Sequence, residues 1–138
     1  YTVAGLKFES PVELKTEPSG PHATMVSLAD SAKTDQFYMV FFTAPATGQA
    51  MSDSELINYG KSTYMGSAKP ATNKTNRLFF GAQLEGTSQT TSIPTPSTLE
   101  TYLLPMADGK NVFVGIKYSL PKDEADTLIN TISASMNK

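Results

Sequence analysis

The stretch QFYMVFFTA, residues 36–44, most constrains what this chain can become. From Phe37 to Phe42 it is apolar at even and odd positions alike. A half-exposed strand alternates apolar with polar side chains, so a short run that is apolar on both faces belongs in the middle of a sheet covered on each side. The rest of the chain must supply neighbouring strands and something to lie on both faces.

Candidates for those strands are spread along the sequence. VAGLKFESPVEL opens with alternation: Val3, Gly5 and Lys7 on one face, and Ala4, Leu6 and Phe8 on the other. Pro11 interrupts pairing and points to a bend or a short edge strand beyond it. TEPSGPH (16–22) has the composition of a turn. HATMVSLA follows as a strand, with Ala23, Met25 and Ser27 opposing Thr24, Val26 and Leu28, and DSAKTD is a second turn. PATGQAM and SAKPATNKTN (67–76) read as loops. RLFFGAQLEG (77–86), TTSIPTPSTLETYLLP (90–105) and KNVFVGIKYSL (110–120) read as successive antiparallel strands, with ADG (107–109) as a tight turn.

Two segments carry helix signatures. In SDSELINYGKSTYMG, Ser52 is placed to cap a helix and Glu55 to complete a capping box, with Leu56, Gly60 and Tyr64 on one face and Gly66 ending it. In the last segment Pro121 suits a first turn. Asp123, Glu124 and Asp126 sit at the positive end of the helix dipole, which makes them helix-start residues. Ala125, Leu128, Ile129, Ile132 and Met136 form one apolar stripe, and Lys138 lies at the negative end. Links between strands are too short for parallel crossovers. The expected fold is therefore α+β: one domain over residues 1–138, an antiparallel sheet with an internal helix and a C-terminal helix packed on it.

Composition narrows the functional classes. The chain has no cysteine, which removes disulfides, thiolate nucleophiles and cysteine-bound metal clusters. Acids and bases are interspersed at a net charge of -2, and Arg77 is the one arginine, so there is no nucleic-acid footprint. Serine and threonine make up 31 of 138 residues, a mix common in exported proteins, and Tyr1 stands where an initiator methionine would. A removed leader or anchor is the expectation, with a periplasmic or secreted mature form. No apolar run approaches the roughly 20 residues that span a bilayer, so membrane attachment is expected only through such an anchor.

No catalytic constellation emerges. His22 is the sole histidine and sits at a turn–strand junction, where a surface histidine is ordinary. Asp30, Asp35 and Asp108 flank turns, as aspartates do for hydrogen-bonding reasons. Nucleophile-elbow, calcium-loop and phosphate-loop motifs are absent from the sequence, and neither a cofactor nor a metal is expected. The one cluster with binding character is Lys61, Lys69, Lys74 and Arg77 with Tyr59 and Tyr64, suited to an anionic partner. Asn73-Lys74-Thr75 is also a glycosylation sequon.

GLKFESPVEL at the start, the capped SDSELINYGKSTYMG helix, and TYLLPMADGKNVFVGIKYSLPKDEADTLINTISASMNK at the end resemble the PsbP-like family. The likeness is one of element order across most of the chain and not of a sharp motif. It implies a non-catalytic binding or accessory module and transfers no functional residue. The expected function is an exported, non-enzymatic accessory or protein-binding domain of the cell envelope. The alternative is a small-molecule-binding domain with a pocket between the sheet and helix 52–66, lined by Tyr59, Gly60, Tyr64 and Tyr102 and by Met39, Met65 and Met106. A hydrolase using carboxylates gathered by the fold is a third reading.

Overall fold

The structure is a computed structural model and describes residues 1–20, 22–43, 52–65, 73–91, 96–106 and 111–137. It contains β1 (Thr2–Val3), β2 (Leu6–Lys7), β3 (Leu14–Pro18), β4 (Ala23–Leu28), β5 (Phe37–Thr43), α1 (Asp53–Tyr64), β6 (Asn73–Phe79), β7 (Ala82–Thr91), β8 (Ser97–Pro105), β9 (Asn111–Tyr118) and α2 (Lys122–Ser135). Strands β3 to β9 form a seven-stranded antiparallel sheet in the order β3-β4-β5-β9-β8-β7-β6. After β5 the chain passes through α1 to the far edge and meanders back, so that β9 pairs with β5.

The two-faced strand is central, as its composition requires. Phe37, Met39 and Phe41 of β5 pack in one core with Val26, Tyr102, Leu104, Val112, Val114 and Ile116. The α2 stripe of Ala125, Leu128, Ile129, Ile132 and Met136 closes that core, and its four large members contribute about 1.5–3 kcal/mol each. Val40 and Phe42 point the other way, into a smaller core with Leu99, Phe113, Leu56 of α1 and Met65. The helices thus cover opposite faces of the sheet. The β1–β2 hairpin completes the α2 layer: Val3, Leu6 and Phe8 are buried there, and Lys7 pairs with Asn137 just beyond the helix.

Both helix starts follow from local chemistry. Ser52 Oγ accepts from Glu55 N at 3.2 Å while Glu55 Oε1 accepts from Ser52 N at 3.3 Å, which is the expected capping box. Pro121 lies one residue earlier than expected, at the cap, where its carbonyl accepts from Ala125 N.

Four expectations need correction, and glycine-containing turns explain two of them. The alternation at 3–8 is not one strand: Ala4 and Gly5, at φ 53° and 82°, make a two-residue turn between β1 and β2. The run at 77–86 is split in the same way by Phe80 and Gly81, at φ 53° and 77°. Such turns need positive φ at both central residues, and a non-glycine at the first disguises them. The third is TEPSGPH: Thr16, Glu17 and Pro18 belong to β3, because β3 is an edge strand and the missing proline N–H costs no ladder bond there. Residues 73–76 likewise open β6 and are not loop. The loop at 45–51, the turn at 107–109, Gly66, Lys69 and Lys138 fall outside the described residues.

Candidate functional site

The five described residues with binding character, Tyr59, Lys61, Tyr64, Lys74 and Arg77, do not come together as one patch. Tyr59 and Tyr64 meet on α1, both against Phe42, with ring centroids 5.1 and 5.4 Å from it. Lys61, two residues on from Tyr59, is only 3% exposed, and desolvation lowers its pKa. Lys74 is exposed on β6, with its ammonium 3.4 Å from Glu85. Arg77 lies on the opposite face of the sheet from α1, beneath α2.

Arg77 is instead the centre of a buried ionic cluster. It is 7% exposed and Glu100, on β8, is 2% exposed. The guanidinium grips the carboxylate with two bonds, Nε to Oε1 at 2.7 Å and Nη2 to Oε2 at 2.6 Å. Tyr102 Oη donates to Oε1 and Tyr118 Oη donates to Oε2, both at 2.6 Å. Glu100 thereby accepts four hydrogen bonds, the full capacity of a carboxylate. Two of the three remaining guanidinium donors reach α2: Nη1 to Asn130 Oδ1 at 2.8 Å, and Nη2 to Asp126 Oδ1 at 3.1 Å. Lys122 Nζ stands 3.3 Å from Asp126 Oδ2. Asp126 therefore does more than start a helix.

The electrostatics follow from these contacts. Burial alone would raise the pKa of Glu100, but bonds from Arg77, Tyr102 and Tyr118, with the arginine charge, hold it below the ordinary carboxylate range. Burial also works to raise that of Asp126, and Arg77 and Lys122 outweigh it. Both tyrosines are pushed up, by burial first and then by the adjacent carboxylate. A carboxylate so saturated has no lone pair left for a substrate proton, so Glu100 is a fastener for α2. Among the described residues, no three histidines or carboxylates converge on a metal position.

The space beneath α1 is occupied. A methyl added at Gly60 would stand 2.6 Å from Phe113 Cε1, and one at Gly115 would stand 2.9 Å from Met65 Sδ. Of the side chains expected to line a pocket there, Tyr102, Met39 and Met106 lie in the core on the opposite face.

An opening among the described residues lies elsewhere. A groove of about 880 Å³ runs between the β2–β3 connection, the end of β4 and the N-terminal half of α2. Leu28, Leu120 and Leu128 form its floor, and Val12 stands at its edge, 45% exposed. Glu13, Asp30, Asp123 and Glu124 line its rim together with Lys33. These five charges sum to -3, against -2 for the whole chain, so negative charge is concentrated here. Asp30 Oδ1 accepts from Ala32 N, the turn role expected of it. Its neighbours Leu28 and Ala29 read as the end of a strand, and nothing local marked them as a groove wall. No family model matches the chain, and neither a curated protein nor a solved structure matches it. Among the described residues no helix is long and apolar enough to cross a membrane.

Proposed function

We propose that this chain is an exported, non-enzymatic domain of the cell envelope that docks a protein partner in the groove beside α2. One observation carries the reading: a groove of about 880 Å³ floored by Leu28, Leu120 and Leu128, each 5–7% exposed, with the exposed Val12 at its edge and a charged rim. An interface of this design buries its apolar centre and leaves a polar edge in water. The hydroxyl-rich composition supports the envelope setting. The element order is also the basis of the likeness to PsbP-like accessory modules.

A photo-reactive phenylalanine analogue at Val12, compared with one at Leu78 on the β6 edge, tests the docking surface in producing cells. The expected result is one adduct in the envelope fraction from Val12 alone, abolished by Thr127→Trp, which fills the groove from an exposed position. No adduct from Val12, or an adduct insensitive to Thr127→Trp, refutes the reading.

A further inference from the structure

We infer that the occupant of the groove is a basic amphipathic segment of the partner: a large apolar side chain on the leucine floor, flanked by lysine or arginine reaching the carboxylate rim. The inference rests on the docking reading and adds the chemistry of what docks.

The groove offers charge complementarity around an apolar centre. Among the described residues, the carboxylates of Glu13, Asp123 and Glu124 accept no protein hydrogen bond and enter no ion pair. They are therefore available to an incoming cation. Asp123 and Glu124 occupy the first turn of α2, so they offset the positive end of its dipole and leave the mouth acidic. Lys122 points its ammonium at Asp126, on the side of the helix that faces Arg77. An acidic segment would meet like charge on three sides. A purely apolar one would leave the rim uncompensated. Lysine and arginine suit both zones, because their aliphatic stems lie along apolar surface while the charged head reaches outward. Complementary rim charge also sets specificity and encounter rate more than raw affinity.

The test titrates isotope-labelled protein with three short peptides that alternate leucine with lysine, glutamate or serine, and maps the amide shifts. The expected result is that the lysine peptide moves the amides of Val12, Leu28, Leu120 and Leu128. The triple variant Glu13→Gln, Asp123→Asn, Glu124→Gln, folded by its amide spectrum, binds it roughly tenfold more weakly, as two or three exposed ion pairs imply. Binding also weakens as salt rises through about 0.15 M, where screening acts within roughly 8 Å. Equal binding of the glutamate or serine peptide in the groove overturns the basic-segment inference and leaves docking itself standing. A lysine peptide that moves amides elsewhere, or that binds the triple variant unchanged, also overturns it. Failure of docking is read separately, from a silent Val12 cross-linker.

Discussion

Glu100→Gln is the most informative single change in this protein. It keeps shape and volume and removes one charge from a site where Arg77 is 7% exposed. Each oxygen of Glu100 accepts one bond from the guanidinium and one from a tyrosine. The glutamine amide has one accepting oxygen, so in either orientation its NH₂ faces one guanidinium N–H. A tyrosine hydroxyl can rotate to accept; an arginine cannot. The variant loses at least one charge-assisted bond and leaves a buried cation leaning on half-exposed Asp126 and on Asn130. Removing one partner of a buried pair costs about 3–5 kcal/mol. That is a large fraction of the roughly 5–15 kcal/mol that holds a domain together.

The assay is urea unfolding followed by far-ultraviolet circular dichroism, with Arg77→Met and the double variant alongside. Removing both charges leaves no buried cation, the amide still pairs with the two tyrosine hydroxyls, and Asp126 and Asn130, which lose the guanidinium, lie where water reaches them, so the double variant is expected to be more stable than Glu100→Gln alone. The coupling between the sites is then about 2 kcal/mol or more. A loss below about 1 kcal/mol for Glu100→Gln, or strict additivity of the two changes, would refute the view that this cluster holds α2 to the sheet.

Two further outcomes follow from the same geometry. Glu100 and Asp126 both titrate below their ordinary values, near 4.5 and 3.8, so their contribution is whole above those values and drains away as pH falls through the depressed folded ones. Acid titration of stability should show that slope in the parent and a flatter one in Glu100→Gln; identical slopes would exclude the cluster as its source. Gly60→Ala should lose about 1–2 kcal/mol in thermal melts, because the new methyl stands 2.6 Å from Phe113 Cε1 and overpacking outweighs the gain in helix propensity. Phe113→Leu in the same background should recover part of the loss, and a raised melting temperature for Gly60→Ala alone would show that the contact can yield.

Most of the architecture was legible because it rests on periodicity. The two-faced β5, the stripe on α2 and the Ser52–Glu55 box each encode their own placement. The two hairpins hidden in apparent strands were not legible, since Ala4 and Phe80 occupy positions that asparagine or glycine usually announces. The ionic cluster left one trace: Glu100 shares its strand face with Tyr102 and Leu104, and a carboxylate in an apolar row demands a cation. With Arg77 the one arginine, that demand had an obvious candidate. Grouping Arg77 with Lys61 by sequence proximity pointed the other way, because the sheet lies between them. The groove had no such trace, because its walls come from three segments that meet only in the fold.

The cluster and the groove are coupled by the helix they share. Asp126 and Asn130 leave one flank of α2 for Arg77, while Glu124, Thr127 and Leu128 leave the other for the groove. Between them the apolar stripe sits on the sheet. A helix held by its stripe alone can roll, since apolar contact is not directional. The fork of Arg77 on Glu100 is directional, and its reach to Asp126 and Asn130 fixes the rotation of α2 about its own axis. That rotation sets where Asp123 and Glu124 stand along the rim. The buried ion pair thus orients the acidic edge of the groove. Fixing that rotation is a role for so costly a charge pair under a helix whose own stripe already buries it. A rolled helix would keep its core and lose its groove.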